Sequence, residues 1–195
     1  MKKSDLLLFG ILALTVLAVI SCGSKPKAPT YADDPRSKII GQEGVPRPEW
    51  MNGNKKSADL YYVVGDGREG MSRTAQQGTA RSDGLAKIAQ WKNAVVADTM
   101  KNYLEEGGTI GNTQVLMRFE QATITRSQAN LRGFDQEEYW IDDRGIYHGL
   151  YYYPKSDLKN DFQTTVTEFQ RNDAAAFAEF KANEAFRQLD AQLAK

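Results

Sequence analysis

His148 and Cys22 are the single histidine and the single cysteine of the chain, and together they bound the nucleophilic and metal chemistry open to it. A Cys-His dyad or a Ser-His-Asp triad would have to use one of them, and a structural zinc site has too few soft ligands. One cysteine also excludes an intrachain disulfide. His148 has no carboxylate or second histidine nearby in sequence, so by itself it points to no reaction. Two other patterns suggest chemistry. Gly65-Asp66-Gly67-Arg68-Glu69-Gly70 spells G-x-G-x-x-G between a strand pattern and a helix pattern, the form of a dinucleotide fingerprint. That fingerprint needs a short helix returning to a parallel strand and an acid about 20 residues on. Here that distance falls near Asp83 and Gly84, in the middle of a long helical run, with no Val/Ile-rich strand after it. The motif reads instead as a flexible turn, whose exposed amides could at most hold an anion or a glycan carboxylate. Asp142-Asp143, followed by Arg144-Gly145, could ligate a metal or do acid-base work, but reads as a solvated turn between two strands. No cofactor, metal or small-molecule ligand is expected, and no catalytic residue is assigned.

Cys22 has a different use. Val19-Ile20-Ser21-Cys22 matches the bacterial lipobox: an aliphatic residue three before the cysteine, a tolerant position, a small residue, then the cysteine. Cleavage between Ser21 and Cys22 would leave a thiol that accepts a diacylglycerol. Ahead of it, Lys2 and Lys3 form a positive start and Leu6 to Ile20 an apolar run broken only by Gly10 and Thr15. At about 1.5 Å per residue such a run falls short of the roughly 30 Å hydrocarbon core, so it reads as a secretory h-region rather than a membrane span. Each buried acyl CH₂ contributes ~0.8 kcal/mol and stable anchoring takes more than one chain, which a triacylated, palmitate-bearing Cys22 would supply. Gly23 and Ser24 follow, and the absence of Asp there fits export to an outer membrane. The sequence thus predicts a lipid-anchored protein of the bacterial envelope.

The elements that must follow can be read in order. Residues 1–21 are the signal peptide. Residues 22–47 hold four of the six prolines, with Pro48 next, among Gly, Ser, Lys and Asp, and read as an extended, flexible tether. Residues 48–195 are long enough for one domain with a proper core. Asp59 to Val64 reads as a strand ended by Gly65. From Ser72, Leu85, Ile88, Ala89, Val95, Val96, Met100, Tyr103 and Leu104 recur at helical spacing until Gly107-Gly108, with Ser72 or Thr74 as N-cap. Gly78 and Gly84 interrupt that helix and imply close packing against a sheet. Thr113 to Asn130 fits helix better than strand. Phe134 to Ile141 and Ile146 to Tyr153 read as an antiparallel hairpin, with Tyr147, Tyr151 and Tyr153 on one face and His148, Leu150 and Tyr152 on the other, one face covered by helices and the other a half-exposed tyrosine row. Helix resumes beyond Ser156, with a break at Asn172-Asp173. The fold expected is α+β: about three antiparallel strands packed with a long central helix and C-terminal helices.

The C-terminal region offers the candidate partner surface. Ala175, Ala178, Ala182, Phe186, Leu189 and Leu193 form one helical stripe, while Phe169, Phe177 and Phe180 fall away from it. A surface helix needs only one apolar stripe. Phe177, Phe180, Phe186, Leu189 and Leu193 are therefore expected to serve both the domain and a second copy or another envelope protein. The chain carries 25 basic and 25 acidic side chains, so it has no electrostatic footprint for nucleic acid.

Pro48-Glu49-Trp50, Tyr62-Val63-Val64-Gly65-Asp66-Gly67, Asp83-Gly84-Leu85-Ala86-Lys87-Ile88-Ala89, Tyr139-Trp140-Ile141-Asp142 and Gly145-Ile146-Tyr147-His148-Gly149-Leu150 occur in this order. Over residues 48 to 153 this resembles the LPP-twenty type of bacterial lipoprotein, a family named for a twenty-kilodalton outer-membrane lipoprotein and including the flagellar lipoprotein FlgP. The resemblance implies an α+β domain, an envelope location and, in the flagellar branch, assembly into rings. It implies no catalytic residues. The reading that follows is a non-enzymatic structural or assembly role through protein contacts, as an oligomer or a flagellar-associated ring. The alternative is a module that binds peptidoglycan or another glycan with its Tyr-rich strands. An enzyme would require a cleft with convergent polar groups.

Overall fold

The computed structural model describes residues 31–105, 113–172 and 180–195. Residues 1–21, expected to be a signal peptide, and Cys22, Gly107-Gly108, Asp173 and Phe177 lie outside the described residues. The chain divides into two units, Met1–Asp33 and Asp34–Lys195. Of the first, a single 3-10 turn at Tyr31–Asp33 is described.

The second unit is α+β. Its elements are β1 (Leu60–Asp66), α1 (Arg73–Glu105), α2 (Thr113–Ala129), β2 (Asp135–Ile141), β3 (Tyr147–Pro154), α3 (Lys155–Asn172) and α4 (Ala182–Leu193). The three strands form one antiparallel sheet in the order β1-β3-β2. Among the described residues no helix is long and apolar enough to cross a membrane.

Ser72 starts α1, its carbonyl accepting from the Gln76 amide at 2.9 Å and its hydroxyl from the Ala75 amide at 3.4 Å. The helix runs 33 residues, and Ala80, Gly84, Ile88, Val95, Val96, Thr99, Met100 and Tyr103 are buried along it. Three- and four-residue spacing keeps these on one side of the helix, which lies on β1 and β3. A Cβ at Gly84 would stand 2.9 Å from Tyr151 Cδ2 and 3.2 Å from Phe134 Cζ, so the ring pair Phe134 and Tyr151 packs directly on the helix backbone there. Gly78 differs from expectation: nothing lies within 4 Å of its Cβ position, and close packing does not account for it.

Strand β1 also runs farther than expected. It continues through Gly65 and Asp66, because the absence of a side chain at Gly65 admits the Ala80 carbonyl, 2.0 Å from where a Cβ would be. The glycine marks the closest approach of strand and helix rather than the end of the strand.

Two cores flank the sheet. On the helix side Tyr147, Tyr151 and Tyr153 are buried under α1, continuous with a cluster of Phe119, Phe162, Val166 and Leu189 between the helices. On the opposite side Trp50, Trp140 and Leu150 are buried together, with Ile39, Met51, Tyr62 and Val64 packed around them. That second core corrects two expectations. The far face holds the partly exposed pair Tyr62 and Tyr152 but also a buried core of Trp50, Trp140 and Leu150, and the compact unit begins at Asp34 rather than at 48. Ile40 bridges Pro46, the Gly41 amide donates to Val45 O (2.9 Å), and the Arg47 amide to Ile39 O (2.8 Å). This small loop is tied down when Trp140 Nε1 donates to Val45 O at 3.0 Å, and Trp50 Nε1 donates to Glu138 Oε2 at 2.8 Å. Prolines here fix the bends of a strap that lies on the sheet.

Candidate functional site

The Gly65 to Gly70 turn joins β1 to α1 as a dinucleotide fingerprint would, but its first two glycines face protein. A Cβ at Gly67 would meet Gln76 Cβ at 3.0 Å, and Gly65 faces Ala80 as described. The Asp66 amide donates to Asp83 Oδ2 (3.0 Å) and the Gly67 amide to Tyr147 O (2.7 Å). These two amides are therefore taken, which removes them as the anion cradle allowed from the sequence. Asp66, Arg68, Asp83 and Lys87 line a shallow cleft of about 540 Å³.

The same turn holds an arrangement that the sequence reading missed. His148 does have carboxylates beside it: Nδ1 lies 2.7 Å from Asp66 Oδ1 and Nε2 3.6 Å from Asp142 Oδ2. The ring stacks on Trp140, with centroids 5.7 Å apart. Asp66 and His148 are 82 positions apart, and the antiparallel register of β1 with β3 sets them opposite one another. The His148 hydrogen bond holds the Asp66 carboxyl below the usual aspartate range. Lys87 extends the chain of charges, 2.7 Å from Asp83 Oδ2 and 3.4 Å from Asp66 Oδ2, while donating to Val64 O at 2.6 Å. With a carboxylate near each nitrogen, the imidazole clamps β1 to the β2-β3 hairpin. Among the described residues no cluster of three His, Cys, Asp or Glu is placed to hold a metal ion.

Asp142 is not a solvated turn residue. It is 6% exposed, and its Oδ1 accepts from the amides of Arg144 (3.0 Å) and Ile146 (2.7 Å), closing the hairpin as an Asx turn. Asp143 beside it is exposed.

The C-terminal partner candidates are used inside the domain. Phe180 packs against Tyr103 and Phe119, with ring centroids 5.1 and 5.2 Å away, and Phe186 meets Phe162 edge-on at 5.2 Å. Leu189 is fully buried and Leu193 packs on the same core. Helix α4 starts at Ala182, so Phe180 lies before it, and the Lys181 amide between them donates to the Tyr103 hydroxyl at 3.0 Å. Phe180, Phe186, Leu189 and Leu193 thus all contribute to the domain's own core, Leu189 fully buried and the other three partly buried.

A groove of about 1160 Å³ runs between the lead-in to β1, α1 and the end of α4, with Tyr61, Tyr62, Trp91 and Lys155 among its walls. Tyr61 and Trp91 stack at 4.2 Å, and Lys155 Nζ donates to Leu193 O (2.6 Å) and Ser57 O (3.2 Å), tying the chain end to the strand. No protein-family model, curated protein or solved structure matches the chain.

Proposed function

We propose that the protein is a lipid-anchored lipoprotein of the bacterial envelope, of the LPP-twenty type, whose folded unit has a non-enzymatic structural or assembly role through protein contacts. The observation that carries this reading is the lipobox Val19-Ile20-Ser21-Cys22, ending the h-region on the only cysteine of the chain. An outer-membrane location, and an oligomer or a flagellar-associated ring, belong to the same proposal and rest on Gly23-Ser24 and on the order of motifs between 48 and 153. Because the apolar residues of α4 are spent internally, the contact surface is assigned to the strap, where Ile40 and Val45 are 52% and 47% exposed. In cells, a photoreactive residue at Ile40 or Val45 is expected to capture protein, and one at exposed Gln163 on α3 to give only background. Self-crosslinks in a ladder support a homo-oligomer and a single distinct product an envelope partner. No capture from the strap contradicts the contact reading.

The groove with Tyr61, Tyr62 and Trp91 in its walls supports a second reading, a module that binds peptidoglycan or another glycan, since aromatic faces suit sugar rings. Retention of the protein on purified sacculi, lost when Tyr62 is replaced by Ala, is the outcome this reading requires.

A further inference from the structure

Helix α2 presents Arg118, Ala122 and Arg126 at four-residue spacing, with Thr125 beside them, along one side of a cleft of about 810 Å³. Arg132 closes its end and Asp161 of α3 lies on its wall. Asp161 is 6% exposed. Its Oδ1 accepts from Asn130 Nδ2 at 2.9 Å, but its Oδ2 is buried with no hydrogen-bond partner. Arg126 gives Nη2 to Glu168, while its Nε is likewise buried without an acceptor.

An orphaned carboxylate oxygen and an orphaned guanidinium N–H are each costly, because buried polar atoms in native folds are nearly always paired. Here they are of opposite type and belong to residues of the same cleft, whose rim adds the Arg132 guanidinium. The missing complement is a group with an oxyanion for the arginines and, beside it, an N–H for Asp161. Guanidinium is the side chain that best matches a planar carboxylate. We propose that this cleft binds the carboxylate end of a peptide or an amino acid, with Arg126 and Arg132 receiving the carboxylate and Asp161 Oδ2 accepting from the adjacent nitrogen. The volume falls in the range of small-ligand sites.

The test is calorimetric titration of the full chain in detergent micelles with the dipeptide Ala-Ala, its C-terminal amide and inorganic phosphate. Ala-Ala is expected to bind saturably, with the amide about tenfold weaker or more. Asp161→Asn keeps the oxygen that Asn130 needs but turns the orphaned acceptor into a donor, and should weaken Ala-Ala about tenfold without moving the thermal midpoint by more than a few degrees. Arg132→Gln, at the exposed rim, should weaken Ala-Ala and not the amide, and keeps the proposal testable if Asp161→Asn does not fold. No saturable binding of Ala-Ala overturns the proposal. So does phosphate that binds as tightly as Ala-Ala with Asp161→Asn unchanged, since that marks general attraction of anions to arginine.

Discussion

Lys92 is the residue whose environment departs furthest from its type. It is fully buried, with Nζ donating to Ser127 O at 2.6 Å and Asn130 O at 2.8 Å, and lying 3.8 Å from the centre of the Tyr153 ring. It caps the C-terminal end of α2, where carbonyls lack helical partners and a cation is favoured. Burial nevertheless pulls its ammonium down, to about 8, and a neutral amine still has two N–H groups for the two carbonyls. The unfolded chain, with an ordinary lysine near 10.4, then binds more protons than the folded one between these values, so stability should rise with pH from about 8 to about 10. Burial raises the phenols of Tyr151, to about 12, and Tyr153, which works in the opposite sense above about 10. Lys92→Met should remove the rise between 8 and 10 and cost about 1–3 kcal/mol at pH 7, from carbonyls left unpaired. Urea unfolding of both proteins across that range checks it, and parallel curves would refute it. A lysine on the stripe between Ile88 and Val96 was a visible anomaly of spacing. Its partners, 35 and 38 positions away, were not visible. The same holds for Asp66 with His148 and for the orphaned atoms of Asp161 and Arg126: each depends on register and helix packing that no local pattern encodes.

At the scale of elements, the fold follows from how closely α1 approaches the sheet. Gly84→Ala puts a methyl group into the Tyr151 and Phe134 rings and should destabilise by about 1–3 kcal/mol, the usual cost of overpacking. Gly78→Ala, with open space around it on an exposed helical position, should stabilise by about 1 kcal/mol from helix propensity alone. Thermal unfolding of the two variants should therefore show shifts of opposite sign, and equal shifts would mean that the glycines share a different role. The long helix was legible because its apolar spacing persists across 33 residues despite Gly78 and Gly84, and the strands because they are rich in β-branched and aromatic residues. The strap was not, since its prolines and glycines outweigh Ile39 and Ile40 in any local reading, and the tryptophans that hold it come from 50 and 140. The C-terminal helix was legible only in part. A wheel drawn through 173 onward assumes one continuous helix, whereas α4 starts at Ala182 and Phe180 precedes it.

At the scale of the molecule, a lipid on Cys22 would hold next to the bilayer a unit that is compact from Asp34 onward. Everything proposed for the protein's contacts presupposes that anchor. Intact-mass spectrometry of the protein recovered from cell envelopes tests it most directly. The account predicts a chain that begins at Cys22 and carries the added mass of a diacylglycerol and a third acyl group, with Cys22→Ser leaving residues 1–21 in place. A recovered chain cut elsewhere, or cut before Cys22 without lipid, would contradict it.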